Sequence, residues 1–158
     1  MPAGRLGSGK LLSATPADLD TILSHRREMF REMGGEYARQ MPAFEVASRG
    51  YFEQALSDGS YYGLLCEADG EIVAGGGVLM APWPGSPLNF DTRRAWILNI
   101  YVRPSHRRQG LARAITAALI DWCRQNGFQS VALHASEQGR KLYTDLGFQS
   151  TNEMRLKL

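Results

Sequence analysis

Apolar residues recur at helical spacing in the first third of the chain and predict two helices there. From Leu19 to Met33 they fall on one helical face. Before them, Thr15-Pro16-Ala17-Asp18 supplies a cap, a proline suited to the first turn and an acid near the positive end of the helix dipole. Gly34-Gly35 ends this pattern. A weaker pattern predicts a second helix over residues 44–56, before Asp58-Gly59.

The middle of the chain carries strand patterns. Residues 61–67 and 72–80 flank Asp69-Gly70, a pair that tolerates positive φ, and so predict an antiparallel hairpin. Gly75-Gly76-Gly77 lies inside the second strand, where glycine weakens pairing, and predicts a bulge or a close approach of backbone. Residues 95–102 are almost continuously apolar, which is typical of a strand covered on both faces.

The last third of the chain alternates between helix and strand. An apolar stripe over residues 111–122 predicts a helix that ends at Asn126-Gly127. Residues 131–134 predict a strand, and Ser136 is a suitable cap for a last helix that ends at Gly147.

Residues 148–158 are expected to return as one or two strands. This order of elements predicts a mixed α/β (α+β) fold in a single domain over residues 1–158, with one strand–helix–strand crossover of right-handed sense. Residues 1–9, rich in glycine, are expected to form a flexible lead-in.

Composition narrows the class of protein without naming a function. The 158 residues, 44% of them hydrophobic and 22% charged, suffice for one globular domain with its own core. The formal net charge of +2 is too small for general nucleic-acid affinity. Cys66 and Cys123 lie in apolar stretches and are expected to be reduced core residues. With no apolar run long enough to span a bilayer and no signal peptide visible, a cytoplasmic location without a membrane partner is expected.

The segment with the clearest chemistry is the basic turn after the long apolar strand. Residues 102–113 read Val-Arg-Pro-Ser-His-Arg-Arg-Gln-Gly-Leu-Ala-Arg. N–H groups at a helix start lack internal partners and point outward with the positive end of the dipole, so they can bind a phosphate or diphosphate. Gly110 lets an anion approach the backbone, and Arg107, Arg108 and Arg113 add positive charge. These features fit an anion site and equally a solvated basic loop before an amphipathic helix.

Other phosphate and metal motifs do not fit this chain. No Lys-Ser/Thr pair follows Gly110, as nucleotide hydrolases require, and the turn lacks the three glycines of dinucleotide-binding folds. The three histidines, His25, His106 and His134, have no metal-ligand spacing among themselves or with the cysteines. No metal site is therefore predicted.

Two motifs resemble the GNAT family of N-acetyltransferases. Residues 107–112, Arg-Arg-Gln-Gly-Leu-Ala, are similar to the family signature Arg/Gln-x-x-Gly-x-Gly/Ala and follow a strand as they do in that family. Residues 142–148, Leu-Tyr-Thr-Asp-Leu-Gly-Phe, are similar to the family's Leu-Tyr-x-x-Leu-Gly-Phe. The resemblance covers nearly the whole order of elements. It implies the GNAT fold, a mostly antiparallel central sheet with one splayed parallel strand pair and about four helices.

The resemblance also implies a site for acetyl-coenzyme A as cosubstrate, with no metal. Backbone amides of the turn and helix start would hold its diphosphate, and the edge of the strand at residues 100–102 would bond the pantetheine arm like an added strand. One N–H on that edge would face the thioester oxygen, where such a donor typically contributes about 10²–10³ in rate. The implied binding residues are Ile100, Tyr101, Val102, Arg107, Arg108, Gln109, Gly110, Leu111, Ala112, Arg113 and Ser136.

Tyr143 is the candidate general acid, because the leaving thiolate must be protonated and a phenol with a pKa of about 10 can donate to it. Taken alone, Tyr143 fits the apolar stripe of the last helix better, and it is the match to the family motif that favours catalysis. A covalent acetyl-cysteine is not expected, since neither cysteine lies beside a histidine or a basic turn. We therefore predict direct attack by a primary amine in a ternary complex.

The chain departs from the family pattern at two places. Where the family often has an Asn that contacts pantetheine, this chain has Ser136, whose capping role competes with such a bond. Several members carry a Glu on the central strand as general base, and here Asn99 is the polar side chain instead. The base is unassigned, with His25, Glu28, Glu137 and ordered water as alternatives.

Two other functions compete with the enzyme. A non-catalytic acyl-coenzyme A binding or sensor module is favoured by the missing glutamate. Nucleic-acid binding through the arginines is disfavoured by the low net charge. The resemblance implies an acceptor groove over roughly residues 25–52 and 82–90, and a small amine, a peptide N-terminus, a lysine side chain and an antibiotic all stay open as acceptors. It also allows a homodimer, which is common in the family.

Overall fold

One mixed sheet of six strands forms the centre of the molecule. The computed structural model describes residues 5–6 and 9–158. The strands lie side by side in chain order, and each is antiparallel to its neighbour except the parallel pair at the end. The strands are β1 (Arg5–Leu6), β2 (Gly9–Ser13), β3 (Tyr61–Ala68), β4 (Glu71–Pro82), β5 (Arg93–Val102) and β6 (Val131–Ala132). The predicted mixed fold with one parallel pair is confirmed.

Five α-helices lie in the described residues, against the four or so expected. They are α1 (Leu19–Met33), α2 (Glu36–Arg39), α3 (Met41–Asp58), α4 (Leu111–Gln125) and α5 (Glu137–Asp145). Helix α1 has the predicted bounds, and just before it Thr15 donates its N–H to the Asp18 carboxylate at 2.8 Å. Helix α3 begins earlier than predicted, because Pro42 lies in its first turn, where a missing N–H costs nothing.

The helices divide between two cores, one on each face of the sheet. Helix α4 packs on one face through Ile115 and Leu119, which are fully buried, so its predicted apolar stripe is confirmed. Helices α1 and α3 cover the other face, where Ile22, Phe52 and Tyr61 form a second buried cluster. The sheet is therefore sandwiched between helices.

The sequence pattern does not predict the two N-terminal strands. β1 pairs with β2, and β2 lies along β3 with Leu11 opposite Cys66. Of the lead-in expected over residues 1–9, residues 5–6 and 9 belong to these strands, and residues 1–4 and 7–8 lie outside the described residues. β1, with two residues, offers too few positions for a period of two to be visible, and the five residues of β2 do not alternate between apolar and polar.

The expectation of returning strands over residues 148–158 is wrong, because no residue there belongs to a strand. β6 is two residues long instead of covering the predicted residues 131–134, so it offers no ladder to which a returning strand could bond. Met154, Leu156 and Leu158 alternate as in a strand but are exposed. The alternating pattern lacks a partner edge in the folded chain.

A bulge in β5 lies opposite the three glycines of β4. The pairing register skips a residue between Gly75 and Gly77. Gly76 therefore faces two residues of β5, Asn99 and Ile100. Asn99 has a φ of 61°, the left-handed backbone that the first residue of such a bulge adopts. The predicted bulge is confirmed, and its extra residue lies on β5.

The bulge exchanges the two faces of β5. Before it, Ala95 and Ile97 pack in the core on the α4 side. After it, Ile100 and Val102 pack there, so the alternation has shifted by one residue. Asn99 is thereby turned toward α1 and α3 on the opposite face, where it bonds to side chains of that core.

Replacing Gly77 with Ala should destabilise the fold. A Cβ there would lie 2.2 Å from the ring Cζ and the Oη of Tyr61, a buried side chain whose hydroxyl accepts a hydrogen bond from Asn99. Overpacking of this kind typically costs about 1–3 kcal/mol. The urea concentration at the midpoint of unfolding should fall accordingly.

Gly50→Ala on α3 is the matched control. A Cβ there meets nothing within 4 Å, and alanine favours a helix by up to about 1 kcal/mol over glycine, so the midpoint should hold or rise. Equal stability of Gly77→Ala and the wild type would contradict the close approach at Tyr61.

Stability should also depend on pH through His25 of α1. This side chain is only 7% exposed and packs on Tyr101, with 4.9 Å between the ring centroids. Burial, with a smaller effect of the Arg103 charge, lowers the pKa of His25 from 6.5 to about 4. Between those values the unfolded chain holds a proton that the native chain does not. The free energy of unfolding should therefore fall as the pH drops from 6.5 toward 4, by about 1.4 kcal/mol per unit and at most roughly 3 kcal/mol.

Urea denaturation of His25→Gln and of the wild type over this pH range measures the effect. The variant should lose that part of the slope, whereas His134→Gln, at an exposed position, should keep it. An unchanged slope in His25→Gln would show that another group is responsible.

Candidate functional site

β5 and β6 separate after a short stretch of pairing. Residues 95–96 of β5 pair with Val131–Ala132, and from residue 97 onward no described strand pairs with β5 on that side. The bulge at Asn99 bends β5 in this region. A gap therefore opens along the second half of β5.

Alternate residues present their peptide groups to this gap. Arg103 donates its N–H to a β4 carbonyl at 2.8 Å. By alternation Tyr101 also faces β4, whereas Ile100 and Val102 face the gap. The Val102 carbonyl accepts a hydrogen bond from Arg107 Nε at 2.9 Å. The peptide groups of Ile100 and the N–H of Val102 are left for a ligand.

The turn from β5 to α4 carries a row of backbone donors without partners. After a 3₁₀ turn at Pro104–His106, Arg108 and Gly110 have left-handed φ values of 59° and 80°. The first bond of the helix runs from the Ala114 N–H to the Gly110 carbonyl at 3.0 Å. No described residue accepts a hydrogen bond from the N–H groups of residues 108–113. Successive N–H groups in such alternating conformations form a concavity suited to an anion.

The arginines of the turn are less free than the sequence suggests. Arg107 contacts Glu32 of α1 at 2.6 Å, and Arg113 contacts Asp145 of α5 at 3.1 Å. Arg108 is exposed and pairs with no carboxylate of the described residues. The backbone donors therefore carry a larger share of any anion binding here than the arginine count implies.

Ser136 and Tyr143 lie at the start and toward the end of α5. Ser136 Oγ accepts a hydrogen bond from the Gly139 N–H at 3.1 Å, so its capping role competes with a bond to a ligand. Tyr143 packs edge-on against Phe148, with 5.9 Å between the ring centroids, and burial raises the pKa of Tyr143. The Tyr143 hydroxyl therefore stays protonated near neutral pH.

Tyr143 also borders an open groove of about 760 Å³ beside β6. Trp96, His134 and Arg140 line the same groove. Neither the gap-facing residues Ile100 and Val102 nor the donor row at residues 108–113 borders it. The structure therefore brings the strand edge and the donor row together, and it places Tyr143 on a neighbouring surface.

A polar cluster of Arg26, Tyr61 and Asn99 lies behind the bulge, and Arg26 and Tyr61 are not among the residues predicted for the site. Asn99 Nδ2 donates to the Tyr61 hydroxyl at 3.0 Å, and Arg26 Nη1 donates to Asn99 Oδ1 at 2.7 Å. The sequence does contain a signal for Arg26. It lies between Ile22 and Phe30 at helical spacing, on the apolar face of α1, where a charge is unusual.

None of the three side chains considered as general base, His25, Glu28 and Glu137, lies in an environment suited to accept a proton from an amine. Glu28 is paired with Arg31 at 3.1 Å, and Glu137 is exposed at the start of α5. His25 is buried on Tyr101 and, with its lowered pKa of about 4, is neutral near pH 7. Its low basicity makes it a poor proton acceptor for an amine.

Cys66 and Cys123 are free and buried, with 0% and 3% of their surface exposed. Burial raises the pKa of the Cys123 thiol to about 11 and also raises the pKa of Cys66. The prediction that both are reduced core residues is confirmed, and neither is ionised for nucleophilic attack near neutral pH.

Within residues 9–158 and the short strand β1, no helix has the length and apolar character needed to cross a membrane. In the same part of the chain, no three His, Cys, Asp or Glu side chains lie together as a metal site would require.

Known acetyltransferases match this chain in sequence. The profile described as "Acetyltransferase (GNAT) family" matches residues 20–148. N-acetyltransferase 8 of Mus musculus is 32% identical over 92 residues, 56% of this chain and 39% of that protein. The Rattus norvegicus protein of the same name is 31% identical over 101 residues, 62% of this chain and 44% of its own. This chain thus spans less than half the length of these curated relatives.

Solved structures share the fold over almost the whole chain. A GCN5-related N-acetyltransferase from Ralstonia eutropha JMP134 is 32% identical with a TM-score of 0.88, over 95% of this chain and 98% of that one. A predicted acetyltransferase from Clostridium acetobutylicum, solved with acetyl-CoA, is 23% identical with a TM-score of 0.83, over 95% of both chains. With a family profile matched from residue 20 to residue 148 and the whole fold in agreement, this chain belongs to the acetyltransferase (GNAT) family.

Proposed function

We propose that this chain is an N-acetyltransferase that moves the acetyl group of acetyl-coenzyme A to a primary amine. The observation that carries the proposal is the row of unpartnered N–H groups at residues 108–113, next to the open edge of β5. Coenzyme A has a diphosphate joined to an amide-containing arm. The row of N–H groups is suited to the diphosphate, and the open edge of β5 is suited to the arm. The Clostridium acetobutylicum relative, which has the same fold, was solved with acetyl-CoA.

The diphosphate would be held mainly by backbone. The N–H groups of residues 108–113 lie where the dipole of α4 is positive, and anions are stabilised there. A Cβ at Gly110 would meet nothing within 4 Å, so the space around this residue is open. Among the described residues of the turn, Arg108 is the arginine without a carboxylate partner, and its guanidinium would add a charge-assisted contact to the diphosphate.

The pantetheine arm would lie along β5 as an added strand. Ile100 and the N–H of Val102 are the free peptide groups on that edge, because Arg107 already occupies the Val102 carbonyl. Ser136 would be a weaker contact, since its Oγ serves as the cap of α5.

Acetyl-coenzyme A supplies the activated acetyl group as a thioester. The amine nitrogen attacks the carbonyl carbon, a C–N bond forms and the C–S bond breaks. We assign to the Ile100 N–H the donor role at the thioester oxygen. Tyr143 would give its proton to the leaving sulfur. The surplus proton of the amine would pass to water, since β5 carries no carboxylate side chain, and water would return a proton to Tyr143.

Direct attack in a ternary complex is supported by the state of the cysteines. Both thiols are buried and have raised pKa values, so no thiolate is available to hold the acetyl group between two half-reactions. A burst of free coenzyme A in the absence of an amine would contradict this route.

Arg108→Gln should weaken the binding of coenzyme A by about tenfold. The change removes the unpaired charge from the turn and leaves the row of N–H groups intact. Isothermal titration calorimetry with coenzyme A measures the dissociation constant.

Arg124→Gln, at the far end of the same helix and largely exposed, removes an equal charge and should leave the affinity unchanged. Pantetheine lacks the diphosphate, so its affinity should not respond to either variant. If wild-type protein gives no heat with coenzyme A, the acetyl-transfer proposal is overturned.

Tyr143→Phe should lower the rate of thiol release by about 10²-fold or more, with coenzyme A affinity unchanged, because only the proton donor is removed. Thiol release is followed across a panel of primary amines. Tyr62→Phe serves as the control, since Tyr62 stacks on Trp122 on the α4 side of the sheet, with 4.2 Å between the ring centroids.

Full activity of Tyr143→Phe would assign the acid role to another group. If the wild-type protein binds coenzyme A but does not release thiol with any amine of the panel, that result would instead favour the non-catalytic acyl-coenzyme A binding module. The absence of a carboxylate on β5 is the observation that keeps that alternative in view.

A further inference from the structure

We infer that Arg26 binds a carboxylate of the amine acceptor, so that the acceptor is an amine with an acid group a few bonds from its nitrogen, as in an amino acid. The inference rests on the proposed acetyl transfer and names the substrate class for it. The observations behind it are the surroundings of the Arg26 guanidinium, its missing counter-ion and its place beside the bulge.

The guanidinium of Arg26 lies in a partly buried cage of aromatic rings. Its Cζ is 5.2 Å from the ring centroid of Phe30, 5.0 Å from that of Phe44 and 5.1 Å from that of Phe52. These rings come from α1 and α3 and hold the guanidinium through cation–π contacts. The cage therefore fixes the position of a positive charge on the β5 side of these helices.

No carboxylate of the described residues pairs with this guanidinium. Its hydrogen-bond acceptors among the described residues are neutral, Asn99 Oδ1 at 2.7 Å from Nη1 and Ser48 Oγ at 3.4 Å from Nε. Burial lowers the pKa of Arg26, yet an arginine stays protonated in proteins. Removing a cation from water without a counter-ion is costly. Among the described side chains, Arg39, Arg94 and Arg108 also lack carboxylate partners. Arg39 and Arg108 are exposed and water solvates them. Arg94 stacks on the rings of Trp83 and Trp96.

The third guanidinium nitrogen, Nη2, is open to an incoming group. It donates to no described residue. In the described part of the chain, no buried side-chain nitrogen or oxygen is left without a partner. Nη2 is therefore not fully buried, and it is the guanidinium nitrogen left for an incoming group. A carboxylate fits a guanidinium better than any other common anion of that size, because two oxygens match two N–H groups.

The open donors lie close to the place of reaction. Arg26 bonds to the side chain of Asn99, and the next residue, Ile100, offers its peptide groups to the gap. The acids on the same helix do not compete for the guanidinium, because Glu28 pairs with Arg31 and Glu32 pairs with Arg107. A carboxylate held at Arg26 would thus bring a nearby amine toward the edge of β5.

A purely structural role for Arg26 makes a different prediction. The side chain also joins α1, α3 and β5, so its loss in that case would affect all acceptors equally through the folded state. Anchoring of a carboxylate predicts a loss confined to acceptors that carry one.

The test compares matched pairs of acceptors, each an amino acid and its carboxamide, in the thiol-release assay. Wild-type protein should have a kcat/KM at least about tenfold higher for the amino acid of a preferred pair. Arg26→Gln should bring the two values together, mainly by raising KM for the amino acid, and Arg26→Lys should keep part of the difference. Arg124→Gln, an exposed arginine near the end of α4 and outside the expected acceptor groove, should behave as the wild type.

Equal kcat/KM for both members of every pair in the wild type would overturn the inference. So would a preference that survives in Arg26→Gln. If Arg26→Gln does not fold, as judged by its urea transition, Arg26→Lys and the wild-type preference still decide.

Calorimetry separates this inference from the proposed function. Wild-type protein with coenzyme A should bind an N-acetyl amino acid and not its carboxamide, whether or not turnover is seen. Selective binding of the N-acetyl amino acid without thiol release from any amine would overturn the proposed acetyl transfer but still support carboxylate binding by Arg26. Thiol release with equal binding of acid and amide would overturn the anchor alone.

Discussion

The bulge at Asn99 is the constraint on which the site depends. It requires a residue that tolerates left-handed backbone, which asparagine does better than most. It also requires an empty place opposite, because a Cβ on Gly76 would lie 2.4 Å from Ile100 Cδ1. Finally, the displaced side chain needs partners, and Arg26 and Tyr61 supply them. From this one irregularity follow the exchange of faces along β5 and the gap beside it.

The two halves of the site are built from different materials. The half at residues 108–113 consists of backbone donors whose position is set by the turn and the start of α4. Substitutions there that preserve the backbone conformation leave the donors in place. The half near the bulge consists of side chains, above all Arg26 and its aromatic cage, so a single substitution there changes what the site can bind. Cofactor binding by backbone and acceptor binding by side chains can thus change independently of each other.

Most elements of the fold were predictable because their causes are local. Asp69-Gly70 favours a tight hairpin turn, three adjacent glycines disturb a strand, and the stripe of α4 buries itself on any apolar sheet. The prediction of strands over residues 148–158 was wrong for a reason that is not local. Met154 and Leu156 have the alternation of a strand, but a strand also needs a partner edge, and β6 is too short to provide one.

The site was predictable only in part, for the same physical reason. The turn at residues 107–113 was visible in the sequence, but its charge balance was not. Arg107 meets Glu32 across 75 positions of sequence and Arg113 meets Asp145 across 32. Arg26 interrupts the apolar face of α1, but only the fold shows what surrounds its guanidinium. The role proposed for Tyr143 rests on a family motif and not on its own surroundings.

The sealed thiols of Cys66 and Cys123 have a practical consequence at the bench. Reagents that turn coloured on disulfide exchange react with accessible thiolates, and the folded chain presents none. Such a reagent therefore reports coenzyme A thiol against a silent protein background. In denaturant the same reagent counts two thiols per chain, so one colour reaction also shows what fraction of a preparation is unfolded.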